Sequence, residues 1–573
     1  MGNLFGKLTR EGRLPLLAIS IALYRAKFIE HKTSPTIIGY LAQLLESVEH
    51  EGAAAARFAG DVFGVYVLVN VLRRVIRLSR QLRSASVKGV VDAVGGRAMR
   101  VLKQVPVVKD KIAAEFDKME ADLEKSLKQP GREQLFTLPK KGLPKGEILA
   151  KMRTWYDKEK AQWHEGWVSG AVYHGGDEHI ELQNEAFAMF AISNPLHPDV
   201  WPSVMQMEAE VCSMTAHMVN GGRASVCGTM TSGGTESILM ATKSHRQWAY
   251  ETMGITMPEV VAPETAHAAI DKACELLGIR LVKVPVDPVS FKVDPRTLKR
   301  YLTSDTIMIY SSAPQYPHGV IDPIEELSAI AKRHGCGLHV DCCLGGFVLP
   351  FARRLGYAIP KFDFELEGVT SMSCDTHKYG YAAKGTSVVL YATKELRQHQ
   401  YFTYPAWPGG LYATPSTPGS RPGALIACTW ASLVAVGDEG FMEATDTIMK
   451  AQARIKQAVR ETDGVHLMGD PVAMIVALGS SRFNIYNLAD KMHHKGWSLN
   501  SLQNPPCLHI CVTLRTVEAQ DRFISDLREC VKDCLTNPSK VEKGAAVYGM
   551  ASSMPAGPVA DMLRTYNDVV LKV

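Results

Sequence analysis

No cysteine occurs in the first 211 residues of this 573-residue chain; all 12 lie at or beyond Cys212. An oxidised fold would need many pairings for which no spacing argues, so the thiols read as reduced and the main body as cytosolic. Net charge is scarce as well. The 64 Lys and Arg against 59 Asp and Glu leave +5, too mild to demand a nucleic-acid partner. Internal repeats and long low-complexity stretches are missing. With 46% hydrophobic and 21% charged residues, the composition excludes a disordered polymer, a collagen and a disulfide mini-scaffold. What the chain does have is length enough for more than one compact domain.

The small net charge is an average over unlike regions. Residues 1 to 112 carry 7 Lys and 11 Arg against 8 acids, a net +10, and the remaining residues carry −5. The break falls near residue 72, because residues 73 to 112 hold 11 basic side chains and only Asp92 and Asp110. Just before it, Ala53 to Leu72 is of membrane-spanning length, yet it contains Arg57 and Asp61 and its unbroken apolar run is only Val62 to Val69. Arg73, Arg74, Arg77, Arg80, Arg83 and Lys88 follow directly, as on the cytoplasmic flank of a spanning helix. The expectation is a single transmembrane helix at 53 to 72 with the large body in the cytosol; the plainer readings are an amphipathic surface helix or a packing helix with a solvated basic face. Leu14 to Tyr24 is too short to span and lacks a small-residue cleavage site, so no signal peptide is expected. The opening MGNLFG departs from the myristoylation pattern at Gly6.

Beyond residue 112 a charged helical stretch, 109 to 128, ends at Gln129-Pro130-Gly131, and Gly- and Pro-punctuated segments lead to Trp201. Short β-rich runs then alternate with helical patterns. The predicted strands are Glu259 to Pro263, Leu281 to Val286, Thr306 to Ser311, Gly337 to Cys342, Val369 to Ser373 and Thr386 to Tyr391. Helices are expected at His267 to Leu277 and at Ile324 to Lys332, the latter closing at Gly335. This alternation predicts an α/β fold with a mostly parallel sheet covered by helices. A long helix, Phe441 to Thr462, and strands Met474 to Leu478 and His509 to Leu514 suggest a smaller α+β domain at the C-terminus. The expected organisation is a membrane-proximal region (1–112), an N-terminal segment of the catalytic body (113–204), a large cofactor-binding domain (205–437) and a small domain with a tail (438–573).

Three separated elements point to one cofactor. Thr231-Ser232-Gly233-Gly234-Thr235-Glu236-Ser237 opens a helix-like run, Ile238 to Tyr250. Glycines there let backbone N–H groups approach an anion, and the helix dipole favours its charge; a plain N-cap is the bland alternative. In His339-Val340-Asp341-Cys342-Cys343-Leu344-Gly345-Gly346, Asp341 ends an apolar strand, where α/β sheets place ligands. A buried acid needs a cationic or hydrogen-bond-donor partner; a protonated pyridine nitrogen is one candidate and a structural salt bridge the plainer one. In Ser373-Cys374-Asp375-Thr376-His377-Lys378-Tyr379-Gly380, a lysine flanked by His at a strand end can form a Schiff base if its surroundings lower its pKa. Most lone lysines are solvated surface groups; the order phosphate turn, strand-end Asp, then Lys makes the joint reading strong.

The segments GTMTSGGTES, ETAHAAIDKA, PHGVIDP, LHVDCCLGGF, DTHKYGYAAKG and GSRPG, with SNPLHPD upstream, resemble the sphingosine-1-phosphate lyases, pyridoxal-phosphate enzymes of fold type I. The likeness runs from about Gly166 to Met550. It implies that Lys378 holds the cofactor, that Asp341 pairs with the pyridine nitrogen and that His267 stacks on the ring. Gly234, Thr235 and His377, with Ser420 from the partner subunit of a homodimer, would hold the cofactor phosphate. Tyr173, also from the partner, with Asn194, His197 and Lys384, would surround the substrate's phosphate and polar head, and Tyr316 would be a proton-transfer group. The implied reaction is retro-aldol cleavage of a phosphorylated sphingoid base to a long-chain aldehyde and phosphoethanolamine, at the endoplasmic reticulum membrane. Cys342-Cys343 and Ala383 depart from the family's pattern without touching an assigned role.

An amino-acid decarboxylase of the same fold shares the phosphate turn, the strand-end Asp and the His-Lys pair, and is the nearest alternative. A membrane scaffold that lost its chemistry is another; the intact Asp341, His377 and Lys378 argue against it. His174, His179 and His217 read as hydrogen-bonded structural residues. Cys507, His509, Cys511, Cys530 and Cys534 read as buried core rather than a zinc site, so no metal is expected. Arg421 is expected to fix its loop rather than touch substrate.

Overall fold

The computed structural model describes residues 63–71, 75, 120–121, 124, 135–222, 225–536 and 556–572. The expected helix at 109 to 128, the basic flank after residue 75 and most of 53–72 lie outside the described residues. The chain divides into two compact units, one formed by Met1–Asp157 with Ala546–Val573, the other by Lys158–Ala545.

In the first unit, residues 63–71 are helical, and Phe63, Val65, Val67, Leu68, Val69 and Val71 are exposed on it. Its C-terminal helix is Ala556–Leu571.

The second unit is built on a seven-stranded sheet. Its strands are β1 (Cys227–Thr231), β2 (Glu259–Pro263), β3 (Arg280–Val284), β4 (Thr306–Ser312), β5 (Gly337–Asp341), β6 (Ser371–Cys374) and β7 (Ser387–Tyr391), in the order β1-β7-β6-β5-β4-β2-β3. The pairs β2/β3, β2/β4, β4/β5 and β5/β6 are parallel, and only β7 runs against its neighbours β1 and β6. Strands β2, β4, β5, β6 and β7 are buried at every position. Covered on both faces, they need continuous apolar or small residues rather than alternation, which is why TIMIYS and GLHVD could be recognised in the sequence. Helices Gly234–Met253, Ala269–Leu277 and Ile324–His334 fall where the sequence predicts them; the first opens four residues earlier than the apolar run suggested.

Hairpin β8 (Phe402–Tyr404) and β9 (Tyr412–Thr414) follows, and a second, antiparallel sheet holds β10 (His466–Leu467), β11 (Ile475–Gly479), β12 (Asn500–Leu502) and β13 (Cys507–Cys511), ordered β10-β11-β13-β12. The strand expected at 509 to 514 therefore lies earlier: Thr513 caps a short helix, Leu514–Glu518, and ends the extended run. The long helix is longer than expected, Gly423–Glu461, with a break at Gly437 (φ 62°, ψ 178°). Gly437 takes this positive φ where a side chain would meet its own carbonyl. By length and composition this is the one helix among the described residues able to cross a membrane, yet it contributes Ile426, Leu433, Phe441, Ile448 and Ile455 to the core. Helices Lys145–Trp163 and Asp177–Phe190 stand where the sequence suggested only punctuated loops.

Candidate active site

Five chain segments leave the carboxyl ends of the parallel strands on one edge of the large sheet. The Ser232–Gly234 turn follows β1, His267 follows β2, Tyr316 follows β4, Asp341 ends β5 and the Asp375–Lys378 turn follows β6. In such a sheet the strand ends form a crevice lined by backbone that the ladder leaves free.

Register places Asp341 between Ser312 of β4 and Ser373 of β6. Its carboxylate accepts from the Tyr310 hydroxyl, from the Cys343 N–H at 2.9 Å and from the Ser373 hydroxyl at 3.4 Å. Burial alone would raise its pKa; the nearby charge of His267 and the Tyr310 and Cys343 hydrogen bonds outweigh this and hold it below the ordinary Asp value. A carboxylate kept ionised in the interior can pair with a cation brought to it.

Lys378 Nζ lies 2.9 Å from Asp375 Oδ2. The surroundings do not lower its pKa as the sequence reading required: burial pulls the lysine down, but the Asp375 carboxylate, then Cys343 and Tyr173, raise it well above its usual value. His377 is anchored by its Nδ1, 2.5 Å from the Thr386 carbonyl, and its Nε2 lies 3.7 Å from Asp375. A side chain at Gly234 would come within 2.6 Å of Cys343 Sγ and 2.7 Å of Asp375 Oδ1, so this turn packs against the lysine's turn only because position 234 has none. Glu236 ties the turn down, accepting from Ser232 N at 2.6 Å and Thr417 N at 3.0 Å. Thr235 is exposed at the helix start.

Tyr173 is 7% exposed and lies beneath Lys384, whose ammonium stands 4.6 Å from the ring centroid. The sequence reading took Tyr173 from a partner subunit. The structure instead folds its segment onto the same chain, with Leu514 N donating to the Tyr173 carbonyl and Ser169 N to the Ser498 carbonyl. The ring also packs edge-on against Tyr379 at 4.8 Å, whose hydroxyl donates to the Val512 carbonyl. The Lys384 stem is exposed, but its ammonium donates to the His377 carbonyl at 3.3 Å. Burial of this head, then repulsion by Lys378, bring its pKa down to about 8. Tyr316 is edge-on to His267 at 6.2 Å and to His509 at 4.8 Å.

The structure thus brings Gly234, His267, Tyr316, Asp341, His377, Lys378, Tyr173 and Lys384 to one strand-end crevice. Asn194, His197 and Ser420 form a second cluster: Asn194 Nδ2 donates to Ser420 Oγ at 3.1 Å, Asn194 Oδ1 accepts from Arg421 N at 3.2 Å, and His197 closes the turn on Asn194. Arg421 fixes this loop through a two-pronged pair with buried Glu208, at 2.7 and 2.8 Å. Sequence reasoning overlooked Tyr310, Cys343 and Asp375 as supports. The signal for Asp375 was in plain view, three residues before Lys378.

The crevice suits pyridoxal phosphate. A primary amine, an ionised buried carboxylate and a glycine turn at a helix start are the groups that its aldehyde, ring nitrogen and phosphate require. Two buried polar atoms at this edge, Asp375 Oδ1 and Thr265 Oγ1, lack any hydrogen-bond partner within the protein. Among the described residues no group of three His, Cys, Asp or Glu could hold a metal ion.

Residues 136–479 match the family model of the pyridoxal-dependent decarboxylase conserved domain. The chain is 46% identical over 466 residues to a sphingosine-1-phosphate lyase of Dictyostelium discoideum, covering 81% of this chain and 87% of that protein. It is 46% identical over 492 residues to one of Arabidopsis thaliana, covering 84% and 89%. Among solved structures, a sphingosine-1-phosphate lyase of Burkholderia pseudomallei superposes with a TM-score of 0.70 at 38% identity, covering 76% of this chain and 98% of that one. A glutamate decarboxylase of Lactobacillus brevis shares the fold at 20% identity, with a TM-score of 0.62.

Proposed function

The chain belongs to the sphingosine-1-phosphate lyase family, with pyridoxal phosphate as cofactor, and on that premise we propose how its own residues divide the work of cleaving a phosphorylated sphingoid base. The reaction is retro-aldol, giving a long-chain aldehyde and phosphoethanolamine. The observation that carries this reading over a decarboxylase is Lys384, a second cation standing over the Tyr173 ring beside Lys378. A phosphate-bearing substrate needs such a cation apart from the amine that holds the cofactor.

Pyridoxal phosphate, when bound, supplies the electron sink for the carbon–carbon cleavage. Lys378 would hold it through its amine, Asp341 would pair with its ring nitrogen and His267 would pack against its ring. The N–H groups at Gly234 and Thr235, with His377, would hold its phosphate at the start of helix Gly234–Met253. Lys384 and Tyr173 take the substrate's phosphate. Tyr316 moves the proton of the hydroxyl next to the breaking bond. Asn194, His197 and Ser420 would complete the site of a second copy in a homodimer; the 194–197 turn and the Ser420 loop, joined by Asn194 to Ser420 and Arg421 and fixed by Glu208, form one cluster that supports this. The basic run after residue 72 and the exposed apolar helix at 63–71 support a single-pass anchor in the endoplasmic reticulum membrane, with the body in the cytosol.

The test is direct. Purified protein loaded with pyridoxal phosphate should release aldehyde from a phosphorylated long-chain base and no carbon dioxide from amino acids; the reverse result makes it a decarboxylase. A pH dependence follows from Lys384. Its pKa of about 8 means that its charge is complete well below that pH and is lost as pH rises through it. Values of kcat/KM for the phosphorylated base should therefore fall above about pH 8, as those of the free enzyme do when a binding cation deprotonates. In Lys384→Arg the decline should disappear, and a decline that persists would move the titration elsewhere.

A further inference from the structure

Tyr316 stands in the loop that follows β4, and that loop is clasped by the second sheet. Within the loop, Gln315 N donates to the Val320 carbonyl at 2.9 Å and Gly319 N to the Gln315 carbonyl at 3.0 Å. Gln315 Nε2 donates to the Phe291 carbonyl at 2.8 Å, and His318 stacks on the Phe291 ring at 3.8 Å. From the segment before β11, Val472 N donates to the Gly319 carbonyl at 3.3 Å. From β13, His509 reaches Pro317, the residue next to Tyr316, with Nδ1 3.0 Å from its carbonyl.

The chemistry of His509 is settled by this contact. A proline carbonyl can only accept, so Nδ1 carries the proton. Burial lowers the pKa of His509 to about 4, so the ring is neutral and Nε2 is a bare lone pair. Nε2 is buried and has no partner. Across the strand pair its register partner is Asn500, whose Oδ1 is likewise buried without a partner. The same imidazole lies edge-on to the Tyr316 ring at 4.8 Å with an interplanar angle of 75°. One side chain therefore holds both the backbone beside Tyr316 and the tyrosine ring.

We propose that His509 is a positioning residue for Tyr316: its Nδ1–H fixes the Pro317 carbonyl and its ring sets the angle at which the phenol enters the crevice. The inference rests on the proton-transfer role given to Tyr316 above. A phenol that must meet one hydroxyl proton tolerates little displacement, and a shift of about 1 Å can cost about 100-fold in rate.

Two near-isosteres separate the ring's two nitrogens. Asparagine places an N–H donor near the position of Nδ1, and glutamine places its amide near that of Nε2. In holoenzyme assayed with a phosphorylated long-chain base, His509→Gln and His509→Leu should lose about 100-fold in kcat with KM changed less than about threefold. His509→Asn should restore kcat to within about threefold of wild type, whatever its melting temperature. Combining Tyr316→Phe with His509→Gln should add nothing to the defect of Tyr316→Phe alone, as expected when one residue acts only through the other. Bound-cofactor absorbance and the melting temperature of cofactor-free protein are measured for every variant. If His509→Gln keeps wild-type kcat while Tyr316→Phe is slow, the inference fails and the role of Tyr316 stands. If Tyr316→Phe turns over normally, that role fails and the inference with it. A defect in His509→Asn equal to that of His509→Gln, with lowered melting temperatures in both, also overturns the inference and leaves His509 as core packing.

Discussion

Lys378→Ala is expected to abolish aldehyde release, with a loss on the order of 10^4-fold or more, because it removes the amine proposed to hold the cofactor. Lys384 is a second amine at this crevice, but it is committed to the His377 carbonyl and the Tyr173 ring. The visible absorption of lysine-bound cofactor should vanish as well. Removing the ammonium leaves Asp375, 2% exposed and already carrying one unpartnered oxygen, without its counter-ion. That should lower stability by about 1–3 kcal/mol, within what a domain stable by about 5–15 kcal/mol survives. The measurement pairs aldehyde assay and absorbance with thermal unfolding. Retained turnover by a folded Lys378→Ala protein would remove Lys378 from its role.

Asp341→Asn tests charge at almost constant shape. The carboxylate is maintained in ionised form by His267, Tyr310 and Cys343, and its place at the end of β5 is where a protonated ring nitrogen would need it. Losing a preorganised charge of this kind typically costs about 10^2–10^3-fold in kcat. The neutral amide keeps the volume, so unfolding should change little. Cofactor affinity should weaken along with kcat, read from the pyridoxal phosphate concentration needed to saturate activity. Turnover within threefold of wild type would show that Asp341 is a structural acid serving only Tyr310 and Cys343.

The parts legible in the sequence are those whose physics is local. Strands buried on both faces announce themselves as unbroken apolar runs, and so β2, β4 and β5 stand within a residue of expectation. Helix Asp177–Phe190 does not, since only His179 and Ala186 are buried on it and no apolar stripe marks its inner face. At the site, the Gly turn, Asp341 and Lys378 carry their chemistry in neighbouring residues. Their supports are decided by register and long-range packing. Tyr310 meets Asp341 from 31 residues away, Arg421 meets Glu208 across 213, and Tyr173 comes to Lys384 from another helix-bounded segment altogether. Residue types alone could not distinguish a tyrosine delivered by the same chain from one delivered by a second copy.

The break at Gly437 falls between two contacts made by the long helix. The helix before it packs Ile426, Cys428 and Ser432 into the large sheet's side of the body, and Ser432 donates to the Gly380 carbonyl two residues past Lys378. The helix after it carries Ile448 and Gln452, and Gln452 donates to the Pro471 carbonyl beneath the second sheet. The two helices joined at Gly437 thus hold the lysine's turn at one end and the segment that clasps the Tyr316 loop at the other, and Gly437 is the one non-helical residue on the path between those two holds.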